Sequence, residues 1–350
     1  MRKTLSRYFG RTAALLTLVA SLISVNPSPA HAVAAPADGY GFGSGAAWVT
    51  NSAADNNREL DAVARTGASW VRVLIDRSAI EASKDVYNWG YVDNLVNAAA
   101  SHGLRVLGLI GYTPLWNRPE GPQLLFSTSP PRDMDTWGRF VTAAAQRYAG
   151  RINAWEVWNE PNLTQFMGFI GNRPQHYADI LKTAYPAIKS VTPGATVLAA
   201  GLSPSGGPDN PPAFMQKLYD AGIGGYFDAA AAHPYVFVGG MAADYEHGWT
   251  DVARLHDVMA AHGDGGKKIW LTELGAPTSA GDGQGVSQQE QAQQILDVLG
   301  AAAGVPYIGP AFIYSVRDTD SANRGDREAN FGALLTTDWQ PKYTASVLAR

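Results

Sequence analysis

Cysteine is missing from the 350-residue chain. Its absence excludes disulfide staples, a lipid-modified cysteine anchor and thiolate metal ligands, so stability has to come from a packed core. Charge is also sparse, at 17% of residues, and it leans acidic, with 27 Lys and Arg against 31 Asp and Glu. An acidic chain is a poor partner for nucleic acid or an anionic membrane surface. The histidines show no zinc-ligand spacing such as H-E-x-x-H, and neither a metal nor a cofactor is expected. Asp318, Asp320 and Asp326 offer oxygen ligands for calcium but lack the glycine and terminal glutamate of an EF-hand loop. No repeat, low-complexity tract or charge block marks a second domain.

What is present begins with an export signal. Arg2, Lys3, Arg7 and Arg11 precede an apolar run from Thr12 to Val25 and an Ala30-His31-Ala32 cleavage site. This layout predicts a secretory signal peptide over residues 1–32, cleaved after Ala32, and a secreted protein with no membrane insertion. The apolar run is shorter than the roughly 17–25 residues that span a bilayer comfortably. Cleavage removes four positive charges and no negative one, which leaves 23 basic against 31 acidic side chains. Residues 33–38 read as a short linker and 39–350 as one domain.

Within that domain, apolar runs alternate with helical periodicity. Gly39–Gly43 is a first strand weakened by its glycines, and Asn57–Thr66 a helix. Ser69–Ile75 is an apolar strand interrupted only by Arg72, the type required by a parallel sheet covered on both faces. The pattern continues with a helix at Tyr91–His102, a strand at Arg105–Ile110, a proline-rich loop and a helix at Met134–Tyr148. Further strands follow at Ala195–Gly201, Tyr226–Ala232 and Tyr307–Tyr314, with helices between. Eight strands alternating with helices predict a single α/β domain, a (β/α)8 TIM barrel. A doubly wound open sheet is the alternative, but Gly39-Tyr40-Gly41-Phe42-Gly43 lacks the G-x-G-x-x-G spacing of its phosphate turn.

Two strands end in a carboxylate. Ile152–Leu163 reads as a buried strand stopping at Glu160, where Pro161 lacks a backbone N–H and favours an extended Glu160. Lys268–Gly275 has the same shape around Glu273. The 113 residues between the two glutamates match three βα units, placing one after strand four and the other after strand seven. Both then stand on the C-terminal face, where barrel active sites are built. A carboxylic acid beside a carboxylate is what glycosidic cleavage needs, one to protonate the departing oxygen and one to attack or to activate water.

Trp158-Asn159-Glu160-Pro161-Asn162 and Thr272-Glu273-Leu274-Gly275 resemble the acid/base and nucleophile motifs of the retaining (β/α)8 glycoside hydrolases with glutamates on strands four and seven. The similarity is greatest to glycoside hydrolase families 39 and 5, which include β-xylosidases, endo-glucanases and exopolysaccharide hydrolases. The resemblance implies that Glu160 is the acid/base and Glu273 the nucleophile. It also implies that Asn159 binds the sugar 2-hydroxyl, that Arg72 orients and ionises Glu273, and that His233 and Tyr235 line the pocket, with the tyrosine donating to the nucleophile. Trp116, Tyr314 and Trp48 are candidate sugar-stacking platforms. Where many relatives carry a tryptophan at the end of strand eight, this chain has Phe312-Ile313-Tyr314-Ser315. Arg317 and Asp318 follow, placed to contact substrate or each other.

The expected activity is that of a retaining β-glycoside hydrolase on a polysaccharide or oligosaccharide, with endo action ahead of an exo-acting β-xylosidase type. A silent carbohydrate-binding barrel is the competing class, since fold alone does not imply activity. The expected partner is a carbohydrate and not nucleic acid. A monomer is favoured, because family 39 relatives that tetramerise carry β-domains unlike anything in this sequence.

Overall fold

Buried apolar runs form the sheet because helices cover its outer face and side chains fill its inner one. The computed structural model describes residues 33–278 and 283–349; the expected signal peptide lies outside the described residues. The strands are β1 (Tyr40–Gly43), β2 (Trp70–Asp76), β3 (Arg105–Gly111), β4 (Ile152–Val157), β5 (Thr196–Leu202), β6 (Ala229–Ala232), β7 (Ile269–Leu274) and β8 (Ile308–Tyr314). All eight pair in parallel and in chain order, and β8 closes on β1. One helix packs outside after each strand: α1 (Ala53–Ala64), α2 (Gly90–Ser101), α3 (Met134–Arg147), α4 (Arg173–Val191), α5 (Pro211–Asp220), α6 (Thr250–Ala261), α7 (Gln288–Ala303) and α8 (Tyr343–Leu348). The predicted (β/α)8 barrel is thus the observed fold. Among the described residues no helix is long and apolar enough to cross a membrane.

Local chemistry starts the helices where expected. Ser52, Asp133 and Asn210 accept backbone N–H groups at the starts of α1, α3 and α5, and Ser287 with Glu290 forms a capping box on α7. Short helices that the periodicity does not reveal occupy Ala47–Thr50, Arg77–Ile80 and Gly240–Ala243. The stretch read as a linker is anchored instead. Asp38 pairs with Lys268 at 2.6 Å, and its carbonyl accepts the Trp70 indole N–H at 3.0 Å.

The lower barrel is a plug of unequal side chains. Trp70, Trp270 and Phe312 fill it from β2, β7 and β8 against Ala154, Ala229 and Ala231 from β4 and β6. The two indoles meet edge to face with centroids 5.3 Å apart. Large residues on one side require small ones opposite, since protein interiors pack at nearly crystalline density. Gly41 of the first strand answers to a different constraint, the close approach of the β2 backbone: a Cβ there would stand 2.3 Å from the Trp70 carbonyl oxygen.

Two register shifts set what lies above the plug. In β5 the pairing moves from Leu198↔Ala229 to Gly201↔Ala231, and in β7 from Leu271↔Ala311 to Leu274↔Ile313. Each inserts one extra residue and reverses the side-chain alternation beyond it. In β7 the extra residue lets Thr272 and Glu273 both face the barrel while Leu274 joins the layer under the helices.

Candidate active site

Above the apolar plug lies a polar layer that closes on itself. The Arg72 guanidinium from β2 donates Nε to Glu156 at 2.6 Å, Nη1 to Glu273 at 2.5 Å and Nη2 to the Asn159 amide oxygen at 2.8 Å. Tyr235 donates its hydroxyl to the other Glu273 oxygen at 2.7 Å. His233 Nδ1 bonds Glu160 Oε1 at 2.7 Å and lies 3.6 Å from Glu273 Oε2. Its Nε2 bonds the Thr272 hydroxyl at 3.0 Å, and Thr272 donates to Glu156 at 2.9 Å.

The structure therefore brings Glu160, Glu273, Asn159, Arg72, His233 and Tyr235 together. Asn159 spends its amide oxygen on Arg72, and no protein acceptor takes its Nδ2 among the described residues, which leaves an N–H donor at the pocket. His233 corrects the expectation in one respect. It is buried beneath the cleft, absent from its lining, and holds Glu160 from below.

The backbone of Glu160 also departs from expectation. β4 ends at Val157, and Trp158 and Glu160 take positive φ of 73° and 41°. The extended preference of a residue before proline is overridden by tertiary anchors. Trp158 N–H donates to Ile110 O at 2.9 Å, Glu160 N–H to Gly201 O at 3.1 Å, and the Asn162 amide to Ser203 O at 2.8 Å. The Trp158 indole is fully buried and donates to Phe166 O. This turn lifts the Glu160 carboxyl off the strand and aims it at His233.

Charges in the layer set its proton affinities. Burial pushes the Glu273 carboxyl up, but the charges of His233 and Arg72 and the bonds from Tyr235 and Arg72 hold it below the usual carboxylate range. Burial likewise lowers His233, and the neighbouring Glu273 and Glu160 outweigh it, so the imidazole holds a proton more firmly than usual. Burial and the Glu273 charge keep the Tyr235 hydroxyl protonated as a donor. Donor atoms of Glu160, His233 and Glu273 lie within 4.8 Å of one another, close enough to hold a metal ion. The fixed Arg72 cation against Glu273 opposes a second cation there, and the arrangement suits proton handling better.

A cleft of about 660 Å³ opens over this layer. Tyr314 lines it as expected, but two of the three proposed platforms do not. Trp48 is fully buried, its indole donating to Glu59 at 2.7 Å. Trp116 donates to Glu81 O at 2.9 Å and lies against the Arg77 guanidinium. Both rings answer to buried charge and not to the cleft. Tyr112, Phe166, Phe237 and Phe331 supply the aromatic lining that sequence reading missed. Each follows a strand, the one signal that pointed to them. Arg317 and Asp318 neither line the cleft nor touch each other. Arg317 pairs with Glu59 at 2.8 Å, and Asp318 with the buried Lys342 at 3.1 Å, so the Asp318 carboxylate already faces a cation of the chain itself.

A closed parallel barrel with paired glutamates above strands four and seven defines a class, and comparison with known proteins agrees. The family model described as glycosyl hydrolase family 10 matches residues 41–185. A β-xylosidase of Geobacillus stearothermophilus is 29% identical over 137 residues, 36% of this chain and 26% of the relative. A family 39 glycoside hydrolase from Bacteroides cellulosilyticus WH2 superposes with a TM-score of 0.69 at 21% identity, over 90% of this chain and 64% of that one. A GH5_18 protein from Streptomyces cattleya, solved in complex with GlcNAc, gives a TM-score of 0.66 at 20% identity, over 90% and 79%. The matched region thus spans about a quarter of the β-xylosidase and under two thirds of the family 39 structure. These findings fit a (β/α)8 glycoside hydrolase, with family 10 joining the expected families 39 and 5.

Proposed function

We propose that the protein is a secreted, retaining O-glycosyl hydrolase that cleaves β-linked polysaccharide or oligosaccharide by double displacement. The observation that carries this reading is the spacing of the two glutamates, whose facing oxygens lie within 4.8 Å of each other, with His233 Nδ1 close to both from below. Retaining pairs stand about 5–5.5 Å apart, and inverting pairs need roughly 6.5–9.5 Å to admit a water.

In the first step Glu273, held ionised by Arg72 and Tyr235, attacks the anomeric carbon while Glu160 passes its proton to the glycosidic oxygen. The carbon–oxygen bond breaks, the aglycone leaves as an alcohol, and the sugar is esterified to Glu273. In the second step Glu160, now a carboxylate, takes a proton from water as the water oxygen displaces Glu273 at the same carbon. The sugar leaves with its configuration retained, and Glu160 is protonated again. Asn159 Nδ2 is available to the 2-hydroxyl throughout. Endo action is the preferred mode. The likeness to a β-xylosidase supports exo-cleavage of xylosides as a second reading.

The test is product analysis on β-linked polysaccharides and aryl glycosides, with Glu160→Ala and Glu273→Gln alongside wild type. The expected result is loss of activity in both variants, with azide rescuing only Glu160→Ala as the β-glycosyl azide. Glycan binding without turnover anywhere on the panel would favour the silent scaffold instead.

A further inference from the structure

Glu156 and Thr272 have been given no role so far, yet through His233 and Arg72 they join the two proposed catalytic glutamates. Both side chains are fully buried. Glu156 receives three donors, from Arg72 Nε at 2.6 Å, Gly201 N at 3.0 Å and Thr272 Oγ1 at 2.9 Å. A carboxylate paired with Arg72 only accepts, so the single Thr272 proton points to Glu156. The Thr272 oxygen is then left with lone pairs towards His233 Nε2, 3.0 Å away. Nε2 must carry a proton to use them, and Nδ1 is left to share the proton of its 2.7 Å bond with Glu160. Gly201 keeps this contact closed, because a side chain there would occupy the space between the imidazole and Thr272.

Resting on the glycosidase reading above, we propose that Glu156 and Thr272 are positioning residues that lock the His233 tautomer and thereby keep Glu160 loaded as an acid. The lock fixes the number of protons on the His233–Glu160 couple at two. One is pinned on Nε2 by Thr272, and the other lies in the bond between Nδ1 and Glu160 Oε1, from which it goes to the leaving group. Without an acceptor at Nε2, the couple is satisfied by one proton on Nδ1, which donates to a Glu160 carboxylate. That form cannot protonate a departing oxygen. It still accepts a proton from water in the second step, so the two half-reactions separate. The groups facing His233 are Glu160, Glu273, Thr272 and Tyr235, with Arg72 behind Glu273.

Thr272→Val removes the hydroxyl and keeps the shape, and Thr272→Ser restores the oxygen. Nitrogen-15 NMR of the imidazole, assigned against His233→Gln, reads the tautomer without turnover. Kinetics then compare an aryl glycoside whose leaving group needs a proton with a dinitrophenyl glycoside whose leaving group does not. The lock predicts a proton on Nε2 in wild type and Thr272→Ser, and a proton on Nδ1 alone in Thr272→Val. It also predicts a kcat/KM loss of about 100-fold for Thr272→Val on the poor leaving group, within the usual range for a general acid. The loss on the dinitrophenyl substrate should be much smaller, and Thr272→Ser should recover most of the activity. Equal losses on both substrates, or an unchanged tautomer in Thr272→Val, would overturn the lock while leaving the glycosidase reading intact. A wild type inert on every glycoside would overturn both.

Discussion

Gly201→Ala tests whether the polar layer is as tightly built as its distances imply. Gly201 follows the β5 bulge, donates its N–H to Glu156 at 3.0 Å and accepts the Glu160 N–H at 3.1 Å. An added Cβ would stand 2.1 Å from His233 Nε2, 2.5 Å from its Cδ2 and 2.8 Å from Thr272 Oγ1. Ordinary contact begins near 3.4 Å, so the ring must retreat by about 1.3 Å, which is 3.4 minus 2.1. The imidazole is fully buried, and such a shift breaks its 2.7 Å bond to Glu160 or its bond to Thr272. Overpacking of this kind costs about 1–3 kcal/mol. That lowers Tm by about 2–12 °C at roughly 2–4 °C per kcal/mol. The loss in kcat/KM should be about 100-fold on substrates that need protonation. The assays are calorimetry and steady-state kinetics on aryl glycosides. A variant with wild-type Tm and wild-type kcat/KM would refute the reasoning, because it would mean that His233 has room to move.

Tyr235→Phe removes one of the bonds holding Glu273 below the usual carboxylate range, so the acid limb of the kcat/KM profile should move to higher pH. A limb that stays put or moves down would contradict that cause. Trp116→Ala should leave KM unchanged while lowering Tm, since the ring covers Arg77, whereas Tyr314→Ala should raise KM several-fold. Lys342→Met leaves the buried Asp318 without its cation and should cost about 3–5 kcal/mol in urea unfolding, with Asp318→Asn added to it recovering part of the loss.

The sequence made the barrel and the outer members of the site legible for a physical reason. Parallel strands are continuous apolar runs, so a lone Glu, Asn, His or Tyr where such a run stops stands out. Residues inside the runs do not. Arg72 stands out as the one charge in an otherwise apolar strand, but its counter-charge Glu156, inside Ile152–Val157, was not singled out. Its parity with Ala154, which faces the barrel plug, was the available signal. The tryptophans fell the other way. Composition made Trp48 and Trp116 plausible platforms, but Trp48 and the Arg77 that Trp116 covers lie on short helices that the periodicity does not disclose.

The register shifts were not legible at all, and they are what make a proton-handling layer possible. Strict alternation along β7 would send either Thr272 or Glu273 away from the barrel, since adjacent residues of a strand face opposite ways. The extra residue between Leu271 and Leu274 lets both face in. The proposed nucleophile and the hydroxyl proposed to set the tautomer thus come from consecutive residues. The bulge in β5 does the complementary work, turning a glycine towards His233 where any side chain would collide with it. On the proposed mechanism, a site that holds Glu273 ionised and lets Glu160 donate, with their facing oxygens less than 5 Å apart, needs separate fixed partners for each. Arg72 serves the first and His233 the second, and Glu156 ties the two together from below.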